Sequence, residues 1–132
     1  MTPAQIFAEV IETKLPDLGY EVFVGHMPDK PDKAVRVLQV TGGRLEGRRM
    51  RTGVTEVHPA MQVLVRGPNE EEAMATIELI SAMADTVYMA QISSGEILQC
   101  INKTNTIGSL GQEQQTRRCF CSQSYRLTIL PG

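Results

Sequence analysis

The run Met61-Gln62-Val63-Leu64-Val65-Arg66-Gly67-Pro68-Asn69-Glu70-Glu71-Glu72-Ala73 changes its hydrophobic period midway, and that change decides the fold class. Met61, Val63 and Val65 alternate with Gln62 and Arg66, the two-residue period of a half-buried strand. Gly67-Pro68 breaks the strand. Asn69 then stands where a helix N-cap belongs, followed by three carboxylates that complement the positive end of the helix dipole. At consecutive helical positions those carboxylates fan round the axis, so they read as a helix start and not as a metal or acid/base cluster. Ala73, Ile77, Ile80 and Ala84 form one stripe, widened by Met74 and Met83, and predict a helix to about Asp85. A strand that runs directly into an amphipathic helix implies a sheet with helices packed on it.

Upstream, Thr2, Pro3 and Gln5 make a capping box with proline at the first helical position. Ile6, Val10, Ile11 and Leu15 follow at helical spacing, and Pro16 and Gly19 stop the helix. Tyr20 to Val24 predicts a short strand, His26 to Lys33 a proline-punctuated turn, and Ala34 to Thr41 a second strand ended by Gly42-Gly43. Periodicity is then lost until Pro59, which predicts a long loop at about 42–59 with room for a loose hairpin. A loop of that length in a small domain is usually functional or disordered.

Downstream, Tyr88–Ile92 and Glu96–Ile101 predict strands joined by the turn Ser93-Ser94-Gly95. Residues 102–117, rich in Asn, Thr, Gly and Gln, predict a second long loop. Arg118–Leu130 predicts a closing strand with a phase slip near Ser124. The fold class is therefore α+β: a mixed, mostly antiparallel sheet, two helices on one face and long protruding loops, in one domain over 1–132.

The chain has 132 residues, 42% of them hydrophobic and 21% charged, an ordinary globular composition that needs no disulfide or metal staple. A formal net charge of −2 argues against a general nucleic-acid binder. No apolar run is long enough for a membrane span, and the first residues lack the pattern of a secretory signal, so the expectation is a soluble, cytoplasmic chain. The three cysteines, Cys100, Cys119 and Cys121, are an odd number and read as small apolar residues. On a strand, Cys119 and Cys121 share a face.

No catalytic or phosphate-binding motif is present, and the loop histidines His26 and His58 read as surface residues. No catalytic residue, cofactor or metal site is expected. The one unusual segment is Arg44-Leu45-Glu46-Gly47-Arg48-Arg49-Met50-Arg51, with four arginines in eight residues of a slightly acidic chain. Arg44, Arg48, Arg49 and Arg51 are candidates for contact with an acidic partner surface or a nucleic-acid backbone, or for a solvated loop. No aromatic residues interleave with them, which disfavours a single-strand nucleic-acid site.

Taken in order, several segments resemble the small tail-terminator (tail-completion) proteins of long-tailed bacteriophages, a group that includes minor capsid proteins. These are the first helix leading into Leu18-Gly19-Tyr20, then Ala34 to Gly43, then His58 to Gly67 running into the acidic helix start and Ala73. Leu110-Gly111-Gln112-Glu113 to Tyr125-Arg126-Leu127 completes the set. The resemblance implies a structural virion protein, not an enzyme, assembled in the host cytoplasm at the head–tail junction. Its expected partners are further copies of itself in a ring (commonly a hexamer), the tail tube protein and a head–tail connector protein. DNA is expected to pass through the lumen without sequence-specific binding, and no membrane is involved. A head-completion or connector (neck) protein at the same junction is the alternative. Arg66, at the strand-to-helix junction, joins the interface candidates through pairing with a neighbouring subunit's carboxylate, or locally with Glu70. The Arg-rich loop and Cys119-Phe120-Cys121 match no motif of that family.

Overall fold

Thr2 starts the first helix by reciprocal capping: its Oγ1 accepts from Gln5 N at 3.3 Å and its own N–H donates to Gln5 Oε1 at 2.8 Å. A computed structural model describes residues 1–40, 47–49 and 55–131. Helix α1 (Pro3–Lys14) leads to β1 (Glu21–Val24), β2 (Ala34–Gln39), β3 (Gly47–Arg49), β4 (Thr55–Val57) and β5 (Ala60–Gly67). Helix α2 (Glu70–Thr86) follows, then β6 (Ala90–Gln91), β7 (Ile97–Lys103), β8 (Gly108–Gln112) and β9 (Cys119–Leu130). Among the described residues the strands form one nine-stranded sheet with the predicted α+β character.

The centre of the sheet is β9. On one side it pairs antiparallel with β5, from Ala60 opposite Arg126 to Gly67 opposite Cys119. Val57 of β4 lies opposite Ile129, so β4 and β5 keep a single register along β9 across His58 and Pro59. On the other side β9 pairs with β7 and then with β8, each carrying a register shift, at Leu98/Cys100 and at Ser109/Gly111. β2 pairs antiparallel with β5, and β1 pairs parallel with β2.

The core lies between the helices and one sheet face. Ile6, Phe7, Val10 and Ile11 of α1 and Ala73, Ile77, Ile80 and Ala84 of α2 are buried there. They meet Val35 and Val37, Met61, Val63 and Val65, and Cys121, Tyr125, Leu127 and Ile129. Phe7 and Tyr125 pack with ring centroids 5.2 Å apart at 51°. Each large side chain fully buried in this way contributes about 1.5–3 kcal/mol relative to exposure.

Three sequence expectations are corrected. Residues 102–117 are not one loop, because 102–103 belong to β7 and 108–112 form β8 on the edge of β9. The polar side chains of β8 gave no alternation; backbone pairing with β9 makes it a strand. Within 42–59, where the sequence left room for a hairpin, β3 and β4 pair antiparallel, Gly47 opposite Val57 and Arg49 opposite Thr55. The strand expected at Tyr88–Ile92 shrinks to Ala90–Gln91: Met89 turns through φ 51° while its N–H reaches Gln99 O at 2.9 Å. No slip occurs at Ser124, since the β5–β9 register runs through it unbroken. Gln123 imitated one, because it is a polar residue on the helix-facing side. It is buried by accepting from Tyr125 Oη at 2.7 Å and donating to Asn105 O at 3.0 Å.

The strand-to-helix junction is tight at Gly67. A Cβ there would stand 3.0 Å from Tyr20 Oη and 3.1 Å from both Ala73 Cβ and Ala73 N. The Ala73 backbone cannot swing aside as a side-chain tip would, so Gly67→Ala is expected to lower unfolding stability by about 1–3 kcal/mol. Urea denaturation checks this, and an unchanged midpoint contradicts the packing described.

Candidate functional site

Two features leave or cross the sheet without belonging to its core. The first is the hairpin of β3 and β4. Among the described residues β3 pairs with β4 alone, and β4 joins the body through Val57 opposite Ile129, near the point where β9 ends. Arg48 and Arg49 occupy β3, in register with Glu56 and Thr55. Arg44 and Arg51 lie outside the described residues. The root of the hairpin is fixed by His58: its Nε2 lies 3.0 Å from Glu56 Oε1 and its Nδ1 3.2 Å from Thr128 Oγ1. Arg48 and Arg49 thus sit on a hairpin that extends the central strand pair.

The second feature is the connection from β1 to β2, Gly25 to Lys33. Parallel neighbours are usually joined by a crossover of about a dozen residues or more, with a helix to satisfy its backbone. This shorter connection has no helix, so its carbonyls need other donors. Arg66 supplies them from the sheet face turned away from the helices, being only 4% exposed. Its Nη2 donates to Pro28 O at 2.8 Å and to Pro31 O, and its Nε donates to Asp32 O at 3.3 Å. The partner of Arg66 within the chain is therefore this turn and not Glu70.

Arg118, which the sequence reading did not single out, completes the clasp. It too is buried, at 5% exposure. Its Nη2 meets Asp29 Oδ1 at 2.9 Å and Glu113 Oε1 at 2.8 Å, and its Nη1 reaches Asp32 Oδ1 at 3.5 Å. Its Nε donates to Thr116 Oγ1 at 3.0 Å. One guanidinium thus ties the 25–33 crossover to the 113–118 turn that joins β8 to β9. The charges respond accordingly. The hydrogen bond from Arg118 holds Asp29 below its usual range, and those from Thr116 and then Arg118 do the same for Glu113. Bonding to Glu113 and then to Asp29 raises Arg118. Burial, and then the like charge of Arg118, lowers Arg66.

Cys119 and Cys121 are buried on one face as expected, and burial pushes the Cys121 thiol up, with Glu70 and Cys119 adding to it. Among the described residues no group of His, Cys, Asp and Glu is placed to hold a metal ion. Also among the described residues, no helix is long and apolar enough to cross a membrane.

Comparison with known proteins adds two findings. A family described as "Bacteriophage tail terminator protein" matches residues 8–121. A chain in a solved structure titled "Virion of native gene transfer agent (GTA) particle" shares the fold. It has a TM-score of 0.55 and 12% identity, over 95% of this chain and 84% of that one. No curated protein matches the sequence.

The clasp makes a pH prediction. Asp29 and Glu113 have folded pKa values depressed below 3.8 and 4.5, so below about pH 4.5 the unfolded chain binds more protons than the folded one. Their contribution is complete above that range and is lost as pH falls through the depressed values. Thermal melts at falling pH should show the wild-type chain losing stability more steeply than Arg118→Leu. Parallel acid limbs in the two proteins contradict the clasp.

Proposed function

The chain belongs to the bacteriophage tail terminator family, a structural component of the virion tail, and from that premise we propose that it closes into a ring that caps the finished tail tube and receives the head. Six copies is the number expected from the proteins it resembles. The ring contacts the tail tube protein on one side and a head–tail connector protein on the other. DNA passes through its lumen without sequence-specific contacts, in keeping with the net charge of −2. In this role the chain is a virion component assembled in the host cytoplasm, and it works without catalysis or cofactor.

The observation that carries the reading is the β3–β4 hairpin. It is joined to the body at its root and bears Arg48 and Arg49 on β3, within a segment that also contains Arg44 and Arg51. A guanidinium suits an intersubunit role because it stays charged and binds carboxylates two bonds at a time. Arg66 serves the interface at one remove: with Arg118 it fixes the turn that presents Asp29 and Asp32, whose side chains are 82% and 68% exposed. The two acidic side chains then stand at a defined place on the surface.

Replacing Arg44, Arg48, Arg49 and Arg51 together by serine tests this role. Substitutions away from a core usually change stability by no more than about 0.5 kcal/mol, so the monomer should melt nearly as the wild type does. Infectious particle yield should fall steeply, with separate heads and tails in electron micrographs. Normal yield of joined particles from this variant overturns the role given to the hairpin.

A further inference from the structure

On the helix layer, the C-terminal end of α1 and the C-terminal half of α2 leave a groove between them. Its two lobes, about 240 and 300 Å³, share Lys14, Leu15 and Leu79. Pro16, Leu18, Ala82 and Met83 complete an apolar floor, on which Leu79 is 53% exposed. Carboxylates rim it. Asp17 lies in the lining, and Glu78 and Asp85 flank Ala82 on α2 at helical spacing. Asp85 is engaged by Lys103 at 2.8 Å, whereas Asp17 and Glu78 make no ion pair among the described residues.

The geometry points to one occupant, the segment Arg44–Arg51 of a second copy of this chain, in an assertion that rests on the ring proposed above. Charge complementarity selects it: that segment carries four arginines against one glutamate, with Leu45 and Met50 as its apolar residues. A basic segment with apolar side chains matches an apolar floor with an acidic rim, and Lys14 is the one cation among the lining residues.

Position explains why the occupant is another copy. The hairpin root is at Val57, opposite Ile129, while α1 leads through Leu15–Tyr20 to β1. The first residue of β1, Glu21, pairs with Ala34, which lies opposite Arg66. Hairpin root and α1 C-terminus therefore sit at opposite ends of the sheet, separated by most of the strand path from Val57 to Gly67, roughly 33 Å at 3.3 Å per residue. The α2 side of the groove reaches back along the sheet, since Asp85 binds Lys103, which lies opposite Tyr125. A donor on the hairpin and an acceptor on the helix layer are still different surfaces, and such a heterologous contact closes into a ring when the rotation between copies divides a full turn.

Charge reversal tests the pairing by sedimentation velocity over a concentration series at low salt. Arg48→Glu/Arg49→Glu/Arg51→Glu and, separately, Asp17→Lys/Glu78→Lys should each weaken self-association by about tenfold or more, with melting curves confirming that both still fold. The chain carrying all five changes should regain assembly, because the two surfaces are complementary again with their signs exchanged. If the wild type assembles and neither reversal weakens it, the groove is wrong and the ring stands. If both weaken it and the five-fold variant is not rescued, the pairing of these two surfaces is wrong. A wild type that stays monomeric at every concentration, with isolated tail tubes absent or present, overturns the ring and the groove together.

Discussion

The buried Arg66 guanidinium is what lets β1 lie parallel to β2 across a connection too short for a helix. Turns that cross a sheet face expose carbonyls that water cannot fully reach, and an unpaired buried carbonyl costs roughly 1–3 kcal/mol. Arg66 accepts that burden for Pro28, Pro31 and Asp32, and Arg118 anchors the same turn through Asp29 and Asp32. Because β1 is parallel, α1 can run beside β1 and β2 on the helix face and end near the Gly67 end of the sheet. The positions of the helix layer, the turn and the groove all follow from that arrangement.

The opposite end of the sheet is governed by the unbroken register of β4 and β5 along β9. A strand pair that continues past the body gives a hairpin without any new core to build. The chain thus concentrates apolar burial in the middle and distributes charge to the two ends. Such a layout suits a subunit whose work is contact. It also accounts for the slight overall acidity, since the arginine excess is confined to the hairpin segment.

Much of this was legible in the sequence wherever local physics decides. Capping by Thr2 and Asn69, the stripes of α1 and α2, and the alternation of β5 all follow from periodicity and end signals, and all are present. Other features depend on partners distant in the chain. β8 has no pattern of its own and is a strand because β9 lies beside it. Gln123 looked like a slip until Tyr125 and the Asn105 carbonyl were seen to hold it. Arg66 was noticed for its place at the junction, but its partners lie at Pro28 to Asp32, and those of Arg118 as far back as Asp29. Nothing at either position announces a buried arginine; at most, three carboxylates sitting in polar turns hint that a cation is shared. The Arg-rich segment is conspicuous in the sequence, whereas the pairing that carries Arg48 and Arg49 on an extension of the central strands is not.

The most direct measurement of the central claim is the solution mass of the purified protein by light scattering, in the presence and absence of isolated tail tubes, with negative-stain images of the same samples. The account predicts rings of about six subunits with a central hole, free in solution or seated on tube ends. A chain that remains monomeric in solution and leaves tube ends bare contradicts it.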